Sequence, residues 1–479
     1  MIAAFSVGYG GARYGVIYPP CGILHVVAAI NRVFPGETKV YSQPLLGLDE
    51  EALVELAVKE LNPVEGALVA IPTEMDYRRG LKLIEALKKA GINKILVGGF
   101  PFTVPFSQKP YYAAVNRQVL VCDTDGEVAA VAFVEYCYGK KEAEEIPNVW
   151  LPNGKRTTLI SPRPIHKVEY PLLPFAVWDP RPAWETGHQI PTEVMASKLI
   201  GRPIRAWDLI WTGSFCSLAG RQGRDPETGL DRNRCDYCGS GSRRGVVGAS
   251  KFWEKMQACL GYIHLAGISE AVKIRLTADD YGNLRPIIRQ IGDQMPSWIC
   301  QQDYCFELYA WGIGDLEHAL ELRRIGTVQV YIGADGKGYK PELDGPYIRS
   351  LRFLQQAGLL IHTAFIPGKY NETWDSLDAW LKLAEHVKQE FGDALSFLGG
   401  YLIWVIPGSW DWHRVIEKYP ELALTDDYDL EEIRRRFWRD FTYLGNGLSN
   451  EVIFQRLEGY TARFNALSPL PGQWSFGRR

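Results

Sequence analysis

Strand-like apolar runs alternate with helix-length amphipathic stretches twice along this chain, which restricts it to parallel sheets joined by right-handed helical crossovers. In the first array Ile2 to Val7 is apolar, Gly22 to Val33 has helical spacing, and Glu50 to Leu61 precedes a second apolar run, Gly66 to Ile71. Met75 to Ala90 is amphipathic and stops at Gly91. Lys94 to Val97 breaks at Gly98-Gly99, and Val119 to Val121 precedes Asp123. Ligands of such sheets lie beyond the carboxyl ends of the strands, here near Thr73, Gly98, Gly99 and Gly126.

The second array starts at Ala206. Its expected strands are Asp208 to Thr212, Val272 to Thr277, Ser297 to Gln301, Val328 to Ile332, Leu359 to Phe365 and Leu398 to Ile406. Helical stretches fall between them at Lys251 to Leu265, Leu316 to Arg324, Tyr347 to Ala357 and Thr373 to Phe391. Six strand-helix units are fewer than a closed eight-fold barrel needs, so a partial, open barrel is expected. Between the arrays, prolines such as Pro162, Pro171, Pro180 and Pro191 remove ladder donors, and the stretch reads as a surface linker. The fold expectation is therefore α/β: a doubly wound parallel-sheet domain over 1–147, a linker over 148–205, a partial (β/α)6 barrel over 206–409, and an extension over 410–479 containing a charged helical run, Leu430 to Phe441. A length of 479 residues agrees with more than one domain, since single cores stop growing near roughly 250 to 300 residues.

A net charge of -3 gives no field that would gather nucleic acid or an anionic membrane. No basic start followed by an apolar run resembles a signal peptide, and no stretch is long and apolar enough to span a bilayer, so a cytoplasmic protein is expected. Nine cysteines in a reducing compartment read as thiols or metal ligands rather than disulfides.

One cysteine group has ligand spacing. Cys235 and Cys238 flank Asp236-Tyr237, and Cys216 lies upstream with 18 residues between it and Cys235. The first strand of the second array ends just before Cys216, which places the thiols at the carboxyl edge of a barrel, where chemistry is built. Three thiolates on a four-iron cubane leave one iron open. The same thiols with a fourth ligand, from Cys21, Cys259, Cys300, Cys305 or a histidine, would make a zinc site.

The text from Gly213 to Gly241, GSFCSLAG and then RCDYCGSG, resembles the cluster loop of radical S-adenosylmethionine (SAM) enzymes, whose usual spacing is CxxxCxxC with an aromatic residue before the last cysteine. Tyr237 holds that aromatic place. The long first gap departs from the pattern, but an insertion such as Leu218 to Arg234 can loop out at small entropic cost. The resemblance implies that Cys216, Cys235 and Cys238 hold a 4Fe-4S cluster and that Tyr237 packs near adenine. VQVYIGADG, Val328 to Gly336, resembles the strand that meets adenine and ribose, which implies contacts from Gly333 and Asp335. TADDYG, Thr277 to Gly282, is similar to a paired-aspartate strand end in the cobalamin-dependent branch, with Asp279 or Asp280 facing the barrel mouth and the other capping a helix. AFIPGKYNETW, Ala364 to Trp374, and IWVIPGS, Ile403 to Ser409, resemble later strand ends, where Pro-Gly steps mark turns.

YPPCGILHVVAA, Tyr18 to Ala29, with Gly98 to Pro101 and Asp123 to Glu127, resembles the cobalamin-binding-type domain that precedes that barrel. Cobalamin is the implied cofactor, and a sheet that kept the fold without it stays open. No DxHxxG string is present, and His25, inside an apolar helical run, reads as a core or interface residue. The activity implied is reductive cleavage of SAM to methionine and a 5'-deoxyadenosyl radical, followed by cobalamin-dependent methyl transfer to an unactivated carbon. Radical cyclisation or carbon-carbon bond formation is the alternative within the family, and a non-catalytic zinc-site binding protein is the alternative outside it. The implied partners are an organic substrate of unspecified class and an electron donor such as flavodoxin or ferredoxin. Trp298, Trp311, Trp404, Trp410 and Trp412 either line an apolar substrate pocket or serve as packing.

Overall fold

The computed structural model describes residues 1–7, 21–71, 76–99, 117–122, 126–159, 191–210, 213–214, 245–265, 270–276, 281–299, 303–334, 340–406, 409–423, 430–445 and 447–469. The chain divides into two compact units, Met1–His188 with Tyr419–Asp429, and Gln189–Lys418 with Leu430–Arg479.

The first unit is built on β1 (Ile2–Ser6), β2 (Thr38–Ser42), β3 (Gly66–Ala70), β4 (Ile95–Gly98), β5 (Leu120–Cys122) and β6 (Val149–Trp150), in the order β2-β1-β3-β4-β5-β6. All pairs are parallel except β5 with β6. Every residue of β1 is buried, as expected for a strand covered on both faces. One face is covered by α1 (Cys21–Val33) and α4 (Gly126–Cys137), whose Leu24, Val27, Ala130 and Phe133 pack with Ile2, Ala4, Leu68 and Leu96. α2 (Glu50–Leu61) and α3 (Tyr77–Lys89) pack together and against β1 and β3. Asp49 caps α2 by accepting from the Ala52 N–H at 2.8 Å, satisfying one of the orphan donors of a helix start. The strand order reverses between β1 and β3, the switch point where doubly wound folds bind ligands.

The second unit begins with α5 (Pro191–Ile200), a helix inside the stretch read as linker. Its Ala196, flanked by Met195 and Ile200, is buried against Ile204, Ala271, Cys305, Val328 and Leu360, at the amino-terminal ends of the strands that follow. Those strands are β7 (Ile204–Ile210), then, after the two-stranded ribbon β8 (Gly213–Ser214) and β9 (Gly245–Val246), β10 (Ala271–Leu276), β11 (Tyr304–Tyr309), β12 (Thr327–Gly333), β13 (Leu360–Phe365) and β14 (Leu395–Gly400). The six long strands pair in chain order, all parallel, and β14 does not pair with β7. This is the open six-stranded barrel expected from the alternation. The intervening helices are α6 (Ala249–Leu265), α7 (Arg285–Asp293), α8 (Leu316–Arg324), α9 (Pro346–Gln356) and α10 (Trp374–Phe391). Thr373 caps α10 through the Ser376 N–H.

The third strand of the barrel is not Ser297 to Gln301. Ile299 donates to the Pro296 carbonyl to close a turn, Trp298 is exposed, and the strand starts at Tyr304. The last strand begins at Leu395, ahead of the expected Leu398, and ends at the Gly399-Gly400 step. Three helices follow: α11 (Trp410–Lys418), α12 (Leu430–Phe441) and α13 (Asn450–Ala466).

Candidate functional site

Side chains of a strand alternate between faces, so register fixes which residues share a layer inside the barrel. Arg275, Glu307 and Gln329 are register partners on β10, β11 and β12. Toward the carboxyl edge, Tyr309, Tyr331, His362 and Phe397 are register partners on β11 through β14. Gly333, Ala364 and Gly399 form the next layer on β12, β13 and β14. The opposite face of the same strands is apolar, with Val272, Ile274, Phe306, Leu308, Val330 and Ile332 all buried.

The lower layer is charged although buried. Glu307 lies 3.0 Å from the Lys273 Nζ and accepts from Arg275 Nε at 3.0 Å, with Arg275 Nη2 at 2.9 Å. Lys273 and Glu307 side chains are each 3% exposed, a costly burial unless the charges compensate one another. Burial raises the Glu307 carboxyl, but Arg275 and Lys273 outweigh it and hold the group well below the usual carboxylate range. His362 stands above this layer. Burial pushes its imidazole down to about 3, with Glu307 acting the other way, so the ring is neutral. Gln329 Nε2 donates to His362 Nδ1 at 3.4 Å. None of Lys273, Arg275, Glu307, Gln329 and His362 was expected as a site residue. Their signal was the polar residue at every second place in otherwise apolar strands, as in Lys273 and Arg275 of AVKIRL.

Cys216, Cys235, Cys238 and Tyr237 lie outside the described residues, as do Asp279, Asp280, Asp335 and Thr73. The stems of the cysteine segment are described. Gly213 pairs with Val246 and Ser214 with Gly245 in the antiparallel ribbon β8–β9, so the chain enters and leaves the segment side by side, directly after β7. Among the described residues no group of three His, Cys, Asp or Glu side chains is arranged to hold a metal. Cys305, one candidate fourth ligand for zinc, is buried in the apolar cluster beneath the barrel.

Gly333 ends β12, half-buried, in the same layer as Ala364. In the first unit, Ser6, Ala70 and Gly98 are register partners at the carboxyl edge of β1, β3 and β4. These small side chains leave a flat step at the switch point. A Cβ on Gly98 would meet nothing nearer than the Cys122 Cβ at 3.8 Å. Gly99 has φ +128, and a Cβ there would lie 2.0 Å from the Ile71 carbonyl oxygen, so only glycine fits. A Cβ on Gly126 would come within 3.1 Å of Val26 Cγ2, so this glycine lets α4 approach α1. His25 is half-buried on α1. The tryptophans do not converge: Trp298 and Trp311 are exposed, Trp412 is buried, and Trp404 stacks on the buried guanidinium of Arg434 at 4.3 Å. Trp410 sits edge-on to His413.

A doubly wound sheet followed in the chain by an open six-stranded parallel barrel is the fold of the cobalamin-dependent radical SAM enzymes. TsrM from Kitasatospora setae, a radical SAM methyltransferase seen with cobalamin and a 4Fe-4S cluster, matches at TM-score 0.62 and 13% identity over 100% of this chain and 92% of its own. Apo OxsB, a cobalamin-dependent SAM radical enzyme, matches at TM-score 0.63 and 11% identity over 97% of this chain and 67% of its own. OxsB with aqua-cobalamin and SAM matches at TM-score 0.56 and 12% identity over 90% of this chain, which spans 56% of the OxsB chain. No protein-family model and no curated protein sequence matches the chain. Among the described residues no helix is long and apolar enough to cross a membrane.

Proposed function

We propose that this chain is a radical SAM enzyme that methylates an unactivated carbon, with a 4Fe-4S cluster on Cys216, Cys235 and Cys238 and cobalamin on the doubly wound sheet. The observation that carries the reading is the β8–β9 ribbon, which closes the stems of the cysteine segment at the end of the first barrel strand. An 18-residue first gap is no obstacle when both ends of its segment are tied. The similar fold of TsrM, a methyltransferase seen with both cofactors, supports methyl transfer over the other outcomes.

When bound, the cluster and cobalamin supply the electron and the methyl group, and the protein supplies placement and exclusion of water. Ser6, Ala70 and Gly98 fit this role by leaving the switch-point edge flat, and Gly99 lies tight against the Ile71 backbone with no room for a side chain. In the barrel, Gly333 keeps the end of β12 free of side-chain bulk where the adenosyl group of SAM would lie. Asp335 would hold the ribose hydroxyls, Tyr237 would pack near adenine, and Asp279 or Asp280 would face the mouth. Thr73 and Gly126 complete the expected rim of the cobalamin domain. The electron would come from a flavodoxin or ferredoxin.

Protein purified without oxygen and supplied with cobalamin and methyl-labelled SAM tests the reading. About four irons with acid-labile sulfide per chain, corrin absorption bands and label recovered on the cobalamin are expected. Stoichiometric zinc without sulfide would replace the enzyme by a zinc-site protein. Deoxyadenosine formed with no label leaving SAM would replace methyl transfer by cyclisation or carbon-carbon bond formation.

A further inference from the structure

The turn that follows β10 is gripped at its downstream end. Tyr281 is fully buried, and Gly282 packs so close to β11 that a Cβ there would lie 2.7 Å from the Ala310 Cβ and 2.8 Å from Leu308 Cδ1. The Gly282 carbonyl accepts from His318 Nε2 at 2.7 Å, and His318 is itself buried at the start of α8. Asn283 reaches across to the loop after β11: its Oδ1 accepts from the Trp311 N–H at 2.9 Å and its Nδ2 donates to the Gly312 carbonyl at 2.7 Å. A backbone N–H only donates and a carbonyl only accepts, so the two partners fix which way the carboxamide points.

The loop that receives this clamp is a firm mount. The Ala310 N–H donates to the Tyr331 carbonyl, Ile313 donates to the buried Ser350 hydroxyl on α9 at 3.0 Å, and Asp315 caps α8 by accepting from the His318 N–H at 2.7 Å. Upstream of the turn, β10 ends at the buried Leu276. Between Leu276 and Tyr281 run only Thr277, Ala278, Asp279 and Asp280, which lie outside the described residues. A bridge this short takes its placement from its two anchors. Both bonds of Asn283 lie at part-buried or exposed positions, so water can take their place and the fold depends on them little.

We infer that Asn283 is a positioning residue for the proposed reaction: by clamping the turn after β10 to the loop after β11, it sets where the mouth-facing carboxylate, Asp279 or Asp280, stands. SAM brings a sulfonium to that mouth, a cation that a carboxylate attracts more strongly the closer it is held. A carboxylate that drifts toward water loses that attraction, while the fold loses little. Asn283 itself touches neither ligand nor cofactor and acts through the aspartate. Its role rests on the SAM-dependent reading given under the proposed function.

Equilibrium dialysis of labelled SAM against the anaerobically reconstituted full chain tests it, as a cycle of variants. Asp279→Asn and Asp280→Asn identify the carboxylate as the one whose loss weakens SAM about tenfold. Asn283→Ala is expected to weaken SAM about fivefold, and to weaken it no further when added to that aspartate variant, since a carboxylate that is gone needs no placing. Asn283→Asp keeps an acceptor for the Trp311 N–H but sets an oxygen against the Gly312 carbonyl, and is expected to match Asn283→Ala. Arg285→Gln loosens the same turn from outside by breaking its pairs with Asp315, Glu317 and Glu321. It is expected to lower the melting temperature about as far as Asn283→Ala and to leave SAM affinity unchanged.

Unchanged SAM affinity in Asn283→Ala would overturn the proposal. Losses that multiply to about fiftyfold in the double variant, or a loss in Arg285→Gln equal to that in Asn283→Ala, would also overturn it, by reducing the clamp to ordinary stability. Aspartate variants that both bind SAM as wild type does would overturn it too, by leaving Asn283 nothing to place. Wild type that carries its cluster yet holds no SAM would instead remove the SAM-dependent reading, and the role of Asn283 with it, a failure seen before any variant is made.

Discussion

The two parallel sheets follow similar rules of connection and bury opposite kinds of side chain. In the first unit, β1 and β3 carry alanine, valine, leucine, isoleucine and phenylalanine, and their polar content is confined to Ser6 at the carboxyl end. In the barrel, the inner face carries the buried Lys273, Glu307 and Gln329, with the half-buried His362 one layer above. A sheet covered by helices on both faces has only its edge to offer a ligand, so its interior is free to be apolar. A barrel has an inner surface as well, and here that surface holds charge. The first unit thus reads as a platform and the second as a chamber.

Glu307 gives the largest expected break in that comparison. Glu307→Gln removes the carboxylate that both Lys273 and Arg275 face, and breaking a buried pair costs about 3–5 kcal/mol. The counterpart in the first unit is Glu60, whose pair with Lys39 at 2.9 Å is partly exposed on both sides. Glu60→Gln is expected to cost under about 1 kcal/mol. Denaturant unfolding of both variants measures the contrast, and similar losses would mean that the barrel charges are not structurally coupled.

A smaller effect separates two adjacent glycines of the platform. Gly99→Ala combines a positive φ with a Cβ against the Ile71 carbonyl, so a loss of about 2–3 kcal/mol is expected. Gly98→Ala has room for its methyl and is expected to leave the melting temperature within about 2 °C of wild type, while weakening cobalamin uptake. Thermal melts with and without cobalamin test both statements. Loss of fold in Gly98→Ala would show that the flat edge is a packing requirement rather than a ligand step.

Acid should act more strongly on the chamber, because His362 and Glu307 are held low inside the barrel. The platform's depressed Glu60 is itself partly exposed and is held low by its partners Lys39 and Tyr41. His362 has its folded value pushed down to about 3 from an ordinary 6.5, so the unfolded chain takes up a proton first as pH falls. Stability is then full above pH 6.5 and declines from there toward pH 3. Between pH 6.5 and 5 the expected loss is about 2 kcal/mol, at about 1.4 kcal/mol per unit. Glu307 is also depressed, so its contribution is present above its ordinary 4.5 and lost below it. His362→Phe should flatten the upper part of the profile and leave the lower part. A slope between pH 6.5 and 5 that survives the substitution would place its origin elsewhere.

The difference between platform and chamber was only partly legible in the sequence. α2, α8 and α12 occupy the stretches expected from spacing, because caps such as Asp49 and Asp315 mark their starts and their buried faces are apolar at helical intervals. β11 was missed because the apolar Trp298-Ile299 resembles a strand, while Tyr304 to Tyr309 hides its period behind a buried glutamate. α5 was missed under its prolines. The chamber itself was invisible for a different reason: Glu307, Gln329 and His362 are far apart in the chain, and only the register of consecutive strands brings them together. The ribbon β8–β9 is two residues on each side, too short for any periodicity to show.

The free edges give the smallest expected effect and the sharpest contrast of construction. On the platform, β6 covers β5 with backbone, pairing Trp150 with Val121 and Val149 with Cys122. At β14 the barrel is covered by a side chain, as Asn465 on α13 accepts from the Gly400 N–H at 3.0 Å and donates to its carbonyl at 3.4 Å, imitating one rung of a ladder. Phe464 stacks on Phe365 at 4.8 Å beside it. An exposed edge invites pairing with another chain, so the C-terminal helix both seals the barrel and blocks that pairing. Asn465→Ala should cost about 1 kcal/mol and raise hydrogen exchange at the Gly400 amide, with the β5 and β6 amides unchanged. Protection at Gly400 that persists without the amide side chain would assign the seal to Phe464 and the packing of α13 alone.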